Sequence, residues 1–121
     1  MPYVRLDISQ NLLSILKVGE LLKEINTLVA EGLKVPISKV KTVVTPSESF
    51  LVGDGSAEAH AYITVQCFKG RPVEVRGKLS SGLYEWMNSR LVLKDGQVSL
   101  SVYICEIDAE TTTTAYNSPK F

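Results

Sequence analysis

The sequence predicts an α+β domain: duplicated β-α-β units forming a four-stranded mixed sheet, with two helices on one face. Three observations carry this. Three segments alternate apolar and polar residues with the period of a strand, a fourth, Val40 to Thr45, also reads as a strand, and two longer segments repeat apolar residues at helical spacing. Their order along the chain is strand, helix, strand, then strand, helix, strand, and the halves part near Gly53–Ser56. A length of 121 residues suits one domain, residues 1–121, with pseudo-repeats over about 1–55 and 56–121.

The first strand runs from Tyr3 to Ser9, with Val4, Leu6 and Ile8 on one face and Tyr3, Arg5 and Asp7 on the other. Asn11 is placed to cap a long helical pattern that includes Leu12, Leu16, Leu22, Ile25 and Val29. Gly32 ends this helix and Pro36 prevents its continuation. Gly19 is a weak point that offers an alternative start, with Lys17-Val18 as lead-in. Val40 to Thr45 is a second strand, and Pro46 to Ser56 is rich in turn residues.

Glu58 to Phe68 gives the clearest alternation. Ala59, Ala61, Ile63, Val65 and Cys67 face one way, and His60, Tyr62, Thr64 and Gln66 the other. Gly70 stops the strand and Pro72 fits the first turn of a second helix. Its inner stripe holds Val75, Leu79, Leu83, Trp86, Met87 and Arg90. Asp95-Gly96 is a turn before a fourth strand, Val98 to Cys105. Thr111 to Phe121 is polar and reads as a short strand or an arm. A helix between two strands implies a right-handed crossover and parallel pairing within each half. Two helices cover one face of the sheet. The other, with Lys39, Lys41, His60, Tyr62 and Tyr103, is either solvated or buried by subunit association.

Composition narrows the function. Thirteen basic and thirteen acidic residues cancel, which speaks against nucleic-acid or membrane-surface binding. No apolar run approaches the roughly 20 residues needed to span a bilayer. The start, MPYVRLDISQ, lacks a signal-peptide layout, so a cytoplasmic protein is expected. Cys67 and Cys105 fit neither a disulfide framework nor a zinc pattern and read as buried, reduced thiols.

Pro2 is the most informative residue. A small second residue permits removal of the initiator Met, which would leave the Pro2 nitrogen as a free secondary amine fixed in a ring. An α-amine titrates at roughly 7.7–8.0. Burial and nearby cations lower it further, so it can act as a general base near neutrality. Taken alone, the plain role of stiffening the chain start outweighs the catalytic one.

Pro2, the doubled β-α-β plan and Gly70-Arg71-Pro72-Val73-Glu74-Val75-Arg76 together resemble the tautomerase superfamily, and within it 5-carboxymethyl-2-hydroxymuconate isomerase most. The opening Pro2–Leu12, with Ser9-Gln10-Asn11-Leu12, is similar to that family's start, and the Gly-Arg stretch is the more specific match. The macrophage migration inhibitory factor branch is the nearest competitor. The resemblance implies a homotrimer with helices outside, sheets facing inward and active sites near subunit boundaries. It implies catalysis without metal or organic cofactor, in which the amino-terminal proline moves a proton between carbons of an enol or unsaturated acid.

By the same resemblance, the catalytic proline falls on Pro2, the anion-binding arginine on Arg71, and a second substrate-binding cation on Lys41, where many relatives carry arginine. Lysine gives a point charge in place of a bidentate fork. Arg71 by itself reads as a solvated turn residue paired with Glu74, but it also sits beside a helix N-terminus that attracts anions. With Pro2 and the resemblance, the site reading prevails. For Lys41 the solvated and binding readings balance; Lys39 reads as solvated, and His60 as a hydrogen-bonded interface residue. The expected activity is isomerisation of a dienol dicarboxylate in aromatic-compound breakdown. The alternatives are a phenylpyruvate-type tautomerase and a non-catalytic trimeric module binding small acids.

Overall fold

The structure is a computed structural model that describes residues 1–118; residues 119–121, the end of the expected C-terminal strand or arm, lie outside the described residues. Four strands, β1 (Tyr3–Ser9), β2 (Lys41–Ser47), β3 (Ala59–Phe68) and β4 (Val98–Ile107), form one sheet in the order β2-β1-β3-β4. β1 pairs parallel with β2 and β3 parallel with β4, while β1 and β3 join the halves antiparallel. The expected mixed sheet of two β-α-β units is therefore present.

Alternation in β1 and β3 decides which face is covered. Val4 lies opposite Val65, Leu6 opposite Ile63 and Ile8 opposite Ala61, and all six are buried. Each large aliphatic chain removed from water contributes about 1.5–3 kcal/mol, so a one-residue slip would expose the whole set. Where the ladder stops, side chains continue it. The Ser9 hydroxyl accepts from the His60 N–H at 3.1 Å, and Asn11 Nδ2 donates to the Glu58 carbonyl at 2.8 Å. Asn11 is thus a tie between the halves, not the cap of a long helix.

The first helical segment is split. A single turn, α1 (Gln10–Leu13), precedes α2 (Val18–Leu33). Leu12 is buried in the core whereas Ile15 is 62% exposed, so the apolar stripe breaks between them and the chain turns. The helix starts near Gly19, as the weak point there suggested. It ends one residue beyond Gly32, with Lys34 in the left-handed conformation (φ 56°). Gly32 serves close approach instead: a Cβ there would come within 2.7 Å of Leu79 Cδ1 on the second long helix, α3 (Val73–Arg90).

Both long helices pack on the buried face, with Leu21, Ile25 and Val29 from α2 and Leu79, Leu83 and Met87 from α3. Trp86 is only half-buried. Its Nε1 donates to Glu24 Oε1 at 3.1 Å, and Arg90 donates to both carboxylate oxygens of Glu24, at 3.0 and 2.7 Å. These bonds, Arg90's first, hold the Glu24 carboxyl below its ordinary range.

β2 runs through Pro46, which the sequence reading placed in a turn. β2 is an edge strand, where a missing N–H costs no ladder bond. β4, the other edge, leaves Cys105 exposed while Cys67 is buried, which corrects the expectation of two buried thiols. Beyond a 3₁₀ turn at Ala109–Thr111, residues 112–118 form an arm with no strand pairing. The Tyr116 hydroxyl ties this arm to the Ser38 carbonyl at 2.6 Å.

His60 does not meet its expected hydrogen-bonded role within this chain. It is 5% exposed, stacked on Tyr62 and edged by Phe50, and its Nδ1 has no partner among the described residues. Burial pushes its pKa below the ordinary 6.5, against a smaller upward pull from Asp7 on β1. The unfolded chain therefore binds a proton more readily than the folded one as pH falls through about 6.5. Stability should be complete above that value and decline below it. Urea midpoints at pH 7.5 and 5.5 measure this. The drop should shrink in His60→Gln, and an equal drop in both proteins would show that His60 does not carry it.

Candidate active site

The site lies at the end of the sheet where β1 begins and β3 ends. Tyr3 pairs with Gln66, so Pro2 lies alongside Cys67. The Pro2 carbonyl accepts from the Lys41 N–H at 3.1 Å, which fixes the start of β1 against β2. Pro2 is buried, and with Arg71 it lines a cavity of about 340 Å³. Two residues about seventy positions apart thus line one cavity.

Arg71 sits in the turn between β3 and α3. Its guanidinium donates from Nε and Nη2 to the Leu33 carbonyl, at 3.4 and 3.2 Å, and from Nη1 to the Phe68 carbonyl at 3.4 Å. Leu33 ends α2, so Arg71 satisfies a free carbonyl at a helix C-terminus, where a cation is favoured. The sequence showed only its position before α3, where the dipole disfavours it. A guanidinium has five N–H donors, and three are used for positioning. The other two are not engaged by these carbonyls.

Lys39 also lines this cavity. It belongs to a 3₁₀ turn, Ile37–Lys39, not to β2. The reading that put Lys39 and Lys41 on one strand face is corrected by that turn, which breaks the two-residue alternation. Lys41 is the first residue of β2 and lines a smaller adjoining hollow of about 50 Å³ with Lys39, Met1 and Thr114. Its ammonium donates to the Thr114 hydroxyl of the C-terminal arm. The local signal for Lys39 was Pro36, which ends helical continuation and forces a turn before the strand.

The rest of the lining is mostly apolar, with Leu33, Val35, Pro36 and Phe68 as walls. No described lining residue is acidic. A chain with no net charge therefore concentrates positive charge around one partly dry recess. Burial pushes the Cys67 thiol up, which keeps it neutral. Met1 lines both hollows. Its α-amine is pulled below the usual value by burial first, then by Lys41 and Lys39. The surroundings thus favour a neutral amine at the chain start.

Comparison with known proteins bears on the fold and the family. A search of curated protein sequences gives no match. Among solved structures, a 5-carboxymethyl-2-hydroxymuconate isomerase from Deinococcus radiodurans R1 superposes with a TM-score of 0.82 at 20% identity, over 96% of this chain and 90% of that one. A fused 4-OT symmetric trimer gives 0.73 at 21% identity, over 93% and 91%. The macrophage migration inhibitory factor from Trichinella spiralis gives 0.69 at 18% identity, over 98% and 99%. At such identities the superpositions establish the tautomerase fold. The family model for 5-carboxymethyl-2-hydroxymuconate isomerase matches residues 2–119, and with nearly the whole length matched the chain belongs to that family of isomerases.

Proposed function

We propose that the protein is a cofactor-independent isomerase that moves a proton within a dienol or unsaturated carboxylic acid similar to 5-carboxymethyl-2-hydroxymuconate. Pro2 is the general base and acid once Met1 has been removed. The observation that carries this reading is the cavity itself: Pro2 shares it with Arg71 and Lys39 and with no described carboxylate.

While Met1 is attached, the Pro2 nitrogen is an amide whose lone pair is delocalised, and it cannot accept a proton. Loss of Met1 frees the nitrogen and vacates the wall shared by the two hollows. The new secondary amine lies one residue from the Met1 amine, which burial and the nearby lysines lower, and surroundings of that kind favour a neutral amine. It takes the proton of an enol hydroxyl, and the electron pair left on oxygen forms the carbonyl. Arg71 holds the substrate carboxylate, and Lys41, in the adjoining hollow, helps to keep the terminal amine neutral. The conjugated double bonds shift, and the prolinium returns the proton to a distant carbon. Pro2 takes the proton on its lone pair and gives it back, and all other electron pairs move within the substrate, so proton and charge balance without another reactant.

The same reading places the active molecule in the cytoplasm as a homotrimer with the second sheet face inside. Val43 and Tyr103 on that face are 45% and 53% exposed in the single chain, and covering them supports association. The fold shared with a macrophage migration inhibitory factor and the apolar walls favour a second reading, tautomerisation of phenylpyruvate-type monocarboxylates. A third, with Met1 retained, leaves a small-acid binding module. A stopped-flow assay of ketonisation separates them. The first reading expects a dienol dicarboxylate to turn over faster than phenylenolpyruvate. Faster phenylenolpyruvate turnover favours the second, and no turnover of either favours the third.

A further inference from the structure

The cavity around Pro2 holds a cation whose role neither composition nor the family likeness assigned. Lys39 faces the same recess as Arg71, and its ammonium has no ion-pair partner among the described residues. Lys41 differs: it lines only the neighbouring hollow and is bound to Thr114. The C-terminal arm holds the Lys41 side chain and the backbone beside Lys39. Thr114 holds the Lys41 ammonium, and Tyr116 pins the turn that carries Lys39 through the Ser38 carbonyl. The walls between the charged groups are aliphatic and aromatic. A ligand matched to this lining has an apolar unsaturated middle and two anionic groups.

We propose that Lys39 is the residue that selects a dicarboxylate, binding the second carboxylate of a ligand whose first carboxylate Arg71 holds. Lys41, held by the arm, acts on the charge of the terminal nitrogen rather than as that second anchor. This rests on the isomerase reading for the identity of the site, but it concerns binding and does not need proton transfer. A lysine is well suited to the task. Its ammonium is a point charge on a flexible stem and can follow the end of a mobile chain, whereas Arg71 is fixed by two backbone carbonyls.

Calorimetry with two acids of equal chain length tests this. trans,trans-Muconate has a carboxylate at each end and sorbate, with the same double-bond geometry, at one. A bond to a charged partner separates them, so the wild type should prefer muconate by roughly ten-fold or more. Lys39→Met should remove most of that preference through loss of muconate affinity, with sorbate little changed, and Lys39→Arg should restore it. Lys41→Met should keep the preference and raise the pKa of the acid limb of kcat/KM. An unchanged preference in Lys39→Met, its loss in Lys41→Met, or binding of neither acid by the wild type would overturn the proposal. Thermal unfolding of each variant separates loss of affinity from loss of fold. A wild type that binds muconate but turns over no dienol acid would sink the isomerase reading and leave Lys39 standing. Full turnover together with unaltered muconate binding in Lys39→Met would do the reverse.

Discussion

Pro2→Ala lowers the rate of ketonisation of a dienol dicarboxylate by about 10²-fold or more, within the range that general acid–base catalysis typically contributes. The variant keeps an α-amine but loses the ring. A primary amine turns about its bond and is not held at the mouth of the cavity, so the lone pair is no longer aimed at the transferred proton. Positioning alone supplies a large part of such barriers. The substitution removes a few buried atoms at the end of β1, while Val4, Leu6 and Ile8, which anchor the strand, are untouched. The fold should therefore survive, and circular dichroism and the unfolding midpoint verify that before rates are compared. The loss should appear mainly in kcat, because the carboxylate contacts remain. Turnover within a few-fold of wild type would remove Pro2 from the mechanism.

Arg71→Ala is expected to lower kcat/KM by roughly 10- to 100-fold, the equivalent of about 1.5–3 kcal/mol for a hydrogen bond to a charged group. It should also lower stability, because the Leu33 and Phe68 carbonyls lose their donor. The two effects can be told apart. Arg71→Lys keeps a charge near the end of α2 but loses the planar fork. It should recover much of the stability and little of the substrate affinity. Steady-state kinetics alongside urea unfolding reads both. An Arg71→Ala protein with reduced stability and unaltered kcat/KM would make Arg71 a structural residue only.

The fold was largely legible because the buried face is written in period two. β1 and β3 alternate without interruption, which marks their buried face, whereas their pairing with each other is a tertiary fact. The break between α1 and α2 was visible only as Gly19, since Ile15 and Leu16 extend the helical pattern past the turn. Pro46 misled because its tolerance depends on β2 lying at an edge, which is a property of the sheet. Pro2 and Arg71 were named through resemblance, and the structure sets them in one cavity. Their joint meaning is tertiary, for Arg71 reaches a carbonyl at the end of the other helix. The place of Lys39 on the cavity wall was missed because the alternation of β2 was carried back through a 3₁₀ turn. The arm was one of the two readings of the polar C-terminal segment, but its contacts, Thr114 with Lys41 and Tyr116 with Ser38, escaped because they span more than seventy residues.

Pro2 with an uncapped nitrogen is the centre of the account. Two preparations of the same chain test it, one beginning at Pro2 and one retaining Met1, each verified by intact mass and assayed on the same dienol dicarboxylate. The account predicts turnover by the protein that begins at Pro2 and none above background by the one that keeps Met1. Equal turnover by both would contradict it, because an amide nitrogen cannot be the base.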